Sequence, residues 1–279
     1  MQTNVLPYFL GLPAWAFPGW KDRYFTDAPS RLASYGRVFN CVEGNTTFYS
    51  TPALGTVEQW RAAVLPPFRF SLKLPRAVTH ERRPDLRELA RFLDVIAALD
   101  DCLGPCLVQL PAGVDPLGIE RLEPVFEAVA ARHRIVLELR HPAFFSDPAL
   151  AEPWLERYDA GRVMFDARPI HEGDPDHPEL RLARHEKPDV PVLDTVYGEV
   201  AFVRLILHPD IPSNDRYLDF WVERTAAWIE AGYEVYMMIH CPNNQHCPPL
   251  ALDFHERLRA RLPMPALPGW PVPEQRGLF

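Results

Sequence analysis

The chain has 279 residues, of which 47% are hydrophobic, and its formal net charge at pH 7 is −8. A chain of this length and apolar content can bury one large core without a disulfide framework or a structural metal. The negative charge argues against a protein that coats nucleic acid, and no apolar run reaches the roughly 18 residues of a membrane helix. The N-terminal MQTNVLPYFL is neither a signal nor a transit peptide, and five irregularly spaced cysteines fit a reducing compartment, so we expect a cytoplasmic protein.

Eight short apolar runs occur along the chain, about one strand–loop–helix unit apart. They begin near Tyr8, Val38, Phe68, Gly104, Arg134, Arg162, Ala201 and Glu234. Helical periodicity fills most of the intervals, for example in residues 56–64, where Thr56 is the expected N-cap, and in residues 85–100. Eight strands alternating with helices over about 250 residues predict a single (β/α)8 TIM barrel, and a doubly wound open sheet is the alternative.

Two segments depart from an ideal barrel. Residues 167–199 follow the sixth strand, are rich in Pro, His, Asp and Glu, and predict at most one short helix. Long irregular loops in compact domains tend to be lids or disordered, so we expect a lid or wall over the end of the barrel. The tail from Pro263 has five prolines, so we expect residues 1–262 to form the barrel and residues 263–279 to form an extended strap on or near it, or to hang free.

Seven of the eight runs carry a polar or charged side chain near their C-terminal end. These residues are Glu43, Lys73, Gln109, Glu138, Arg140, Asp166, Arg204 and His240. A buried charge costs several kcal/mol unless it is paired, so we expect the acids and bases to converge at one end of the barrel and neutralise each other. The C-terminal end of the strands is also where the active sites of such barrels lie.

The alternation of side chains along a strand sets the expected neighbours of each polar residue. Glu43 shares a face with Cys41, and Asp166 shares one with Met164, so each polar side chain forms the last layer above an apolar interior. The first strand has Gly11 at the matching position, where the missing side chain leaves room for another group to approach.

Several distinctive stretches occur in order along nearly the whole chain, from about Tyr8 to Leu262. They are GLPAWAFPGWKDRYF, FNCVEGNTTFY, FRFSLKLPRAVTH, GPCLVQLP, LELRHPAFF, FDARP and IHCPNNQHCPPLA. In these stretches the chain resembles the YecE-like family, the domain of unknown function numbered seventy-two, through E-x-N-x-T-F-Y, K-x-P-x-x-x-T-H and E-x-R-H-P. The resemblance implies a TIM barrel from a bacterium and implies no reaction, because the family has no firmly established activity.

The polar positions that recur in this family coincide with the predicted ring. They fall here on Glu43, Asn45, Tyr49, Lys73, His80, Gln109, Glu138, Arg140, His141, Asp166 and Arg204. The chain departs from the broader family pattern at the eighth strand. There His240, Cys241 and Pro242 precede Asn243 and Asn244, as in the YecE branch of the family.

A cleft that holds carboxylates, a lysine, arginines and a histidine contains a general base, a general acid and clamps for an anion. We predict catalytic roles for Glu43, Lys73, Glu138, His141 and Asp166. We predict substrate contacts from Asn45, Tyr49, Arg76, His80, Gln109, Arg140, Arg204, His240 and Asn244. The pattern favours an enzyme without a cofactor that acts on a small phosphorylated or carboxylated, sugar-like substrate.

Individual roles follow from charge. Arg140 holds Glu138 ionised as a base or hydrogen-bond acceptor, and Arg140 and Arg204 can each grip a carboxylate or phosphate through two parallel hydrogen bonds. Lys73 has an electrostatic role in this hypothesis. A Schiff base on Lys73 is the less favoured alternative, because nearby acids keep the amine protonated.

Aromatic residues follow several of the strand ends. They are Trp15, Phe17, Trp20, Phe48, Tyr49, Phe144 and Phe145. A flat or sugar-like ligand could stack on such rings, although loop packing over the barrel mouth is the better explanation for any one of them.

Three other functions stay open. A divalent metal would make the chain a phosphodiesterase-like or endonuclease-like barrel, although three basic residues in the same ring would repel the ion. Its ligands would come from Glu43, Glu138, His141, Asp166, His171, His208 and His240. The basic segment from Arg69 to Arg91 could bind nucleic acid, which an open basic groove favours over a closed pocket. The third possibility is a structural ion-pair network without any ligand.

Overall fold

Eight parallel strands form a barrel in the computed structural model, which describes residues 5–174 and 176–271. The strands are β1 (Phe9–Leu12), β2 (Cys41–Gly44), β3 (Arg69–Leu72), β4 (Cys106–Gln109), β5 (Ile135–Glu138), β6 (Gly161–Asp166), β7 (Val200–Ile206) and β8 (Glu234–His240). Their order is β3-β2-β1-β8-β7-β6-β5-β4, and parallel bridges from Phe70 to Leu103 and from Lys73 to Leu107 join the two edges. These bridges confirm the predicted barrel over the open sheet.

Helices lie between the strands. The α-helices are α1 (Arg31–Tyr35), α2 (Leu54–Ala63), α3 (Arg76–Thr79), α4 (Leu86–Ile96), α5 (Glu123–Ala130), α6 (Ala143–Ser146), α7 (Glu152–Arg157), α8 (Arg168–His171), α9 (Leu180–Glu186), α10 (Asp215–Glu230) and α11 (Cys247–Arg261). Short 3-10 turns cover Pro18–Trp20, Thr46–Phe48, Ala97–Cys102, Gly118–Leu122, Pro148–Leu150, Ile211–Asn214 and Asn244–His246. Within the part of the chain that the structure describes, no helix combines the length and apolarity needed to cross a membrane.

The start of one predicted helix lies where the sequence indicates, and the start of another does not. Asp85 caps α4, because its carboxylate accepts hydrogen bonds from the backbone N–H groups of Arg87 and Glu88 at 3.0 Å each. Thr56 does not cap α2, so that prediction is wrong. Its backbone N–H already donates to the carbonyl of Ala53 at 3.0 Å, which places the threonine inside the first turn.

One face of each strand fills the inside of the barrel. A buried interior cluster contains Cys41, Leu107, Val136, Val163, Val200, Phe202, Tyr236 and Met238. A Cβ on Gly11 would lie 2.8 Å from the carbonyl oxygen of Cys41 and 2.9 Å from Sδ of Met238, so only glycine fits there. The groups that approach Gly11 closely are therefore neighbouring parts of the protein itself.

The segment between β6 and β7 contains two short helices, α8 and α9, where the sequence predicts at most one. Its apolar residues form a small buried cluster with the strand ends, made of Phe165, Ala167, Ile170, Leu180, Ala183 and Ile206. Arg184 ties the two helices together by donating from Nε to the carbonyl of Ile170 at 2.5 Å and from Nη2 to that of Gly173 at 3.1 Å. These contacts make the segment a wall beside the end of the barrel.

The tail leaves α11 without regular secondary structure. His255 Nε2 lies 2.9 Å from the carbonyl oxygen of Pro265. The ring of Trp270 packs edge-on against Tyr24 and Phe25, with ring centroids 5.0 and 6.0 Å apart. Residues 263–271 thus lie against the barrel domain, and the rest of the predicted strap, residues 272–279, lies outside the described residues.

Candidate active site

A buried arginine lies at the centre of the C-terminal end of the barrel. Arg204 of β7 is 3% exposed and donates from Nε and Nη2 to the two carboxylate oxygens of Glu43 of β2, at 2.8 Å each. Its Nη1 donates to Glu138 of β5, and Oε1 of Gln109 of β4 lies 3.5 Å from the same nitrogen. One guanidinium therefore links four strands, and its charge is matched by hydrogen-bonded carboxylates, as burial requires.

Both carboxylates are held in the ionised form. Burial alone raises the pKa of a carboxyl group, but the neighbouring positive charges and their hydrogen bonds together outweigh burial at both positions. The pKa of Glu43 lies well below its usual range, with a further contribution from His240, and Arg204 and Arg140 bring the pKa of Glu138 down to about 2. Near neutral pH neither carboxylate has a proton to donate.

A second set of polar side chains surrounds this pair. Nε of Arg140 donates to Oε1 of Glu138 at 2.6 Å, and Nδ2 of Asn45 donates to Oε1 of Glu43 at 2.8 Å. Nε2 of His240 lies 3.3 Å from Oε2 of Glu43. The acids and bases of β2, β5, β7 and β8 thus neutralise each other at one end of the barrel.

A cavity of about 540 Å³ opens above this network. Its wall includes Lys73, Gln109, Arg140, Arg204 and His240 from the strand ends, and Asn45, Tyr49 and Asn244 from the loops. Helix α9 and the residue on either side of it form another side, with Glu179, Leu182, Ala183, Glu186 and Lys187. The volume falls within the range of small-molecule sites, roughly 300–1,000 Å³.

Two lysines face this cavity. Nζ of Lys73 lies 3.7 Å from the centroid of the Phe48 ring, and burial followed by the charge of Arg204 lowers the pKa of Lys73 to about 8. Burial and the charges of Arg204 and Arg140 also lower the pKa of Lys187. Among residues 5–174 and 176–271, no carboxylate oxygen lies within the 4.0 Å ion-pair distance of either amine.

The structure brings most of the predicted site residues together. The residues at this cavity or directly beneath it are Glu43, Asn45, Tyr49, Lys73, Gln109, Glu138, Arg140, Arg204, His240 and Asn244. Tyr49 is 82% exposed at the rim, so its side chain is open to solvent. The carbonyl of Asn244 accepts a hydrogen bond from the indole of Trp20 at 2.7 Å, which holds the β8 loop in place.

Asp166 does not join the ring, and the prediction that it converges with the other charges is wrong. Its carboxylate accepts hydrogen bonds from the side chain of Arg168 at 2.7 and 3.0 Å and from the indole of Trp221 at 2.8 Å, on the helix side of β6. The interior position is one residue earlier, where Phe165 lies against the guanidinium of Arg140, 5.6 Å from its ring centroid. Because Val163 belongs to the interior cluster, alternation sends Asp166 outward.

Three more predicted residues lie outside the cavity wall. Nδ1 of His141 accepts a hydrogen bond from the backbone of Ala143 at 3.2 Å, at the start of α6. Arg76 has a side chain that is 64% exposed and pairs with Glu81 at 3.6 Å. His80 packs edge-on against Phe48, behind Lys73, and burial with the charge of Lys73 lowers the pKa of His80 to about 4.

Lys187 is a cavity residue that sequence reasoning missed. A signal for it exists in the helical spacing, because Leu180, Ala183 and Lys187 are three to four residues apart and share one face of α9 and its C-terminal continuation. Leu180 and Ala183 are buried on that face. Lys187 is the next position along this face and therefore points toward the barrel.

The histidines and acids named for a metal site are divided between the cavity and the surrounding loops. In the described part of the chain, no group of three or more His, Cys, Asp or Glu residues is arranged to hold a metal ion. Glu43 and Glu138 face Arg204, while Nδ1 of His208 accepts a hydrogen bond from the backbone of Asp210 at 2.9 Å.

The basic segment from Arg69 to Arg91 does not form one surface. Arg69 begins β3 and Lys73 follows its end, so the two are about 13 Å apart at the usual rise of a strand, toward opposite ends of the barrel. Arg91 pairs with Glu88 on the surface of α4 at 2.8 Å. The cationic groups at the cavity thus come mainly from separate parts of the chain.

The fold and the cavity define a (β/α)8 barrel protein with a charged pocket at the C-terminal ends of its strands. The chain belongs to the family described as Protein of unknown function DUF72, whose model matches residues 9–274. It is 31% identical to the UPF0759 protein YecE of Escherichia coli (strain K12), covering 97% of this chain and 99% of that protein.

Two solved structures of this family share the fold. A DUF72 family protein from Enterococcus faecalis aligns with a TM-score of 0.68 and 17% identity, covering 90% of this chain and 95% of that one. A DUF72 family protein from Thermotoga maritima aligns with a TM-score of 0.67 and 19% identity, covering 90% and 99%. The relatives carry no assigned activity in their names, so the function is inferred from the cavity.

Proposed function

We propose that this protein is an enzyme that works without a cofactor and applies acid–base chemistry to a small phosphorylated or carboxylated substrate. The observation that carries the proposal is the set of cations at the cavity. Lys73 and Lys187 line it with no carboxylate oxygen within ion-pair distance in the described part of the chain, while Glu43 is paired with Arg204 and Glu138 is shared by Arg204 and Arg140. Cations that are not matched by nearby carboxylates attract an anion from solution.

Binding begins with Arg140. Its Nε donates to Glu138, so Glu138 fixes the orientation of the guanidinium at the cavity wall. The terminal nitrogens of such a guanidinium can donate two parallel hydrogen bonds to a carboxylate or a phosphate. Lys187 adds a second charge from the opposite, helical wall of the cavity. Glu179 and Glu186 at the same wall favour a substrate that also has hydroxyl or other donor groups.

Lys73 is the group that exchanges a proton. With a pKa of about 8, its amine is neutral in roughly one molecule in ten at pH 7, so both forms are accessible. A bound anion raises the pKa of a neighbouring amine, so substrate binding favours the ammonium form. Lys73 then acts as a general acid toward a developing negative charge, and Glu43 and Glu138 act by positioning Arg204 and Arg140.

A nucleic-acid-binding function is less well supported. It needs an open basic groove, whereas Arg76 and Arg91 are paired with acids and Arg69 lies toward the other end of β3. The lysines at the cavity instead lie inside a bounded space of small-molecule size.

Calorimetric titration with inorganic phosphate and with citrate tests the proposal. We expect binding to the native protein, weakened at least tenfold by Arg140→Ala or Lys187→Ala. Lys21→Ala is the matched control, since Lys21 is an exposed lysine paired with Asp27, and it should bind as the native protein does. A panel of sugar phosphates and sugar acids can then be incubated with the protein and monitored by NMR. At least one compound should be converted by the native protein and not by Lys73→Gln. Equal anion binding in all variants would show that this cavity is not the site.

A further inference from the structure

A second hollow lies beside the charged cavity. Its volume is about 290 Å³, and the loop after β1, residues 13–18, forms most of its wall. Trp15, Phe17 and Pro18 give this wall a mainly carbon surface, and Glu43, Asn45 and Thr46 of β2 and its loop complete it. An apolar hollow next to a strongly polar one is the arrangement expected of a site for a ligand with two chemically different parts.

The two hollows share a wall. Pro13 and Asn45 line both of them. Nδ2 of Asn45 donates to the carbonyl of Pro13 at 3.1 Å and to Oε1 of Glu43 at 2.8 Å, so the wall is fixed to the carboxylate that holds Arg204. A ligand that spans this wall would contact both hollows.

The rings of the apolar hollow are held rigidly from behind. Trp15 packs edge-on against Trp60 and Phe70, with ring centroids 5.1 and 6.2 Å apart, and still lines the hollow. Phe17 packs edge-on against Trp20, with ring centroids 5.6 Å apart, and also lines the hollow. Rings fixed in this way offer a flat apolar surface with little conformational entropy left to lose on binding.

We infer that the ligand is an anion that carries a planar apolar ring, with the anionic group among Arg140, Lys73 and Lys187 and the ring between Trp15 and Phe17. The placement of the anionic group in the charged cavity rests on the proposed function. The occupant of the apolar hollow is therefore part of the substrate itself, because the hollow adjoins the charged cavity at Asn45 and Pro13.

Calorimetry with phenyl phosphate and with inorganic phosphate at equal ionic strength separates the two claims. We expect phenyl phosphate to bind the native protein about tenfold more tightly, because its ring leaves water. Trp15→Ala should remove this advantage and leave the affinity for inorganic phosphate unchanged. Trp154→Ala is the matched control, since Trp154 is a half-buried tryptophan packed on Phe126 and Tyr158 away from the cavity. Phe17→Ala serves as a second variant if Trp15→Ala does not fold.

The outcomes are distinguishable. If inorganic phosphate binds and phenyl phosphate binds no more tightly, or if Trp15→Ala and Phe17→Ala both keep the advantage, the inference about the ring is overturned and the anion site stands. If neither compound binds the native protein, the proposed function and the inference are both overturned. If Trp154→Ala removes the advantage as well, the preference is not local to the β1 loop, and the inference is again overturned.

Discussion

Replacing Glu138 by glutamine removes one charge from the ring and keeps its shape. Burial raises the pKa of Glu138, but the two arginines more than offset it and bring the pKa from an ordinary 4.5 to about 2, which corresponds to about 3 kcal/mol of stabilisation at about 1.4 kcal/mol per pKa unit. Glu138 is 0% exposed, so solvent does not screen this contribution. The new amide also turns a donor toward Arg140 or Arg204, which are themselves donors. We expect the free energy of unfolding at pH 7 to fall by about 3 kcal/mol in Glu138→Gln.

The pH dependence has a definite sign. Because folding depresses the pKa of Glu138, its contribution is complete above the ordinary pKa of 4.5 and is lost as the pH falls toward 2. Urea denaturation of the native protein and of Glu138→Gln should therefore give a difference that is constant from pH 7 to about pH 5 and shrinks at lower pH. Taking the difference between the two proteins cancels the contributions of other acids.

Anion binding should change in the opposite direction. At an effective dielectric constant of about 20, removing one negative charge roughly 5 Å from an anion favours binding by about 3 kcal/mol, more than the roughly 1 kcal/mol of losing one hydrogen bond that orients Arg140. Phosphate should thus bind Glu138→Gln more tightly than the native protein. Glu186→Gln, an exposed change of the same charge at the rim, should leave stability within about 0.5 kcal/mol. Unchanged stability, or weaker phosphate binding, in Glu138→Gln would refute this reasoning.

Two further predictions concern Lys73 and Asp166. Phosphate affinity should fall as the pH rises through about 8, because Lys73 loses its proton there. In a calorimetric pH series, Lys73→Gln should show a flatter dependence of affinity on pH. An unchanged dependence in the variant would assign the titration to another group. Asp166→Asn should lower the free energy of unfolding by about 1–3 kcal/mol in a denaturant melt, because Arg168 and Trp221 lose a charged hydrogen-bond acceptor. Phosphate affinity should be unchanged. A large loss of affinity would show that Asp166 belongs to the binding site.

The strands and most of the ring could be predicted because both follow from local pattern. An interior apolar residue two positions before Glu43, Glu138 or Arg204 fixes its face, and Cys41, Val136 and Phe202 are such residues. The alternation of side chains along a strand, together with the requirement that buried charges be paired, was enough to predict these positions.

The errors have an equally local origin. In VMFDARP every residue before Asp166 is apolar, so the sequence does not show which of two adjacent positions faces inward, and a shift of one position reverses the face. The spacing of Asp166 and Arg168 suits a local pair, which is the contact that forms. Lys187 was missed because a residue from an irregular segment reaches the cavity only through the packing of α9, which strand periodicity does not report.

The most direct test of the central claim is the anomalous difference map of a crystal soaked in selenate, a phosphate-like anion with a strong anomalous signal. We expect a peak in the cavity, within about 4 Å of Nζ of Lys73 and of the terminal nitrogens of Arg140, as hydrogen-bonded oxyanions lie. We also expect the loss of that peak in Arg140→Ala. Selenate bound only at the opposite end of the barrel, near Arg69 and Arg134, with none in the cavity, would contradict the claim that this ring of charges is built to bind an anion.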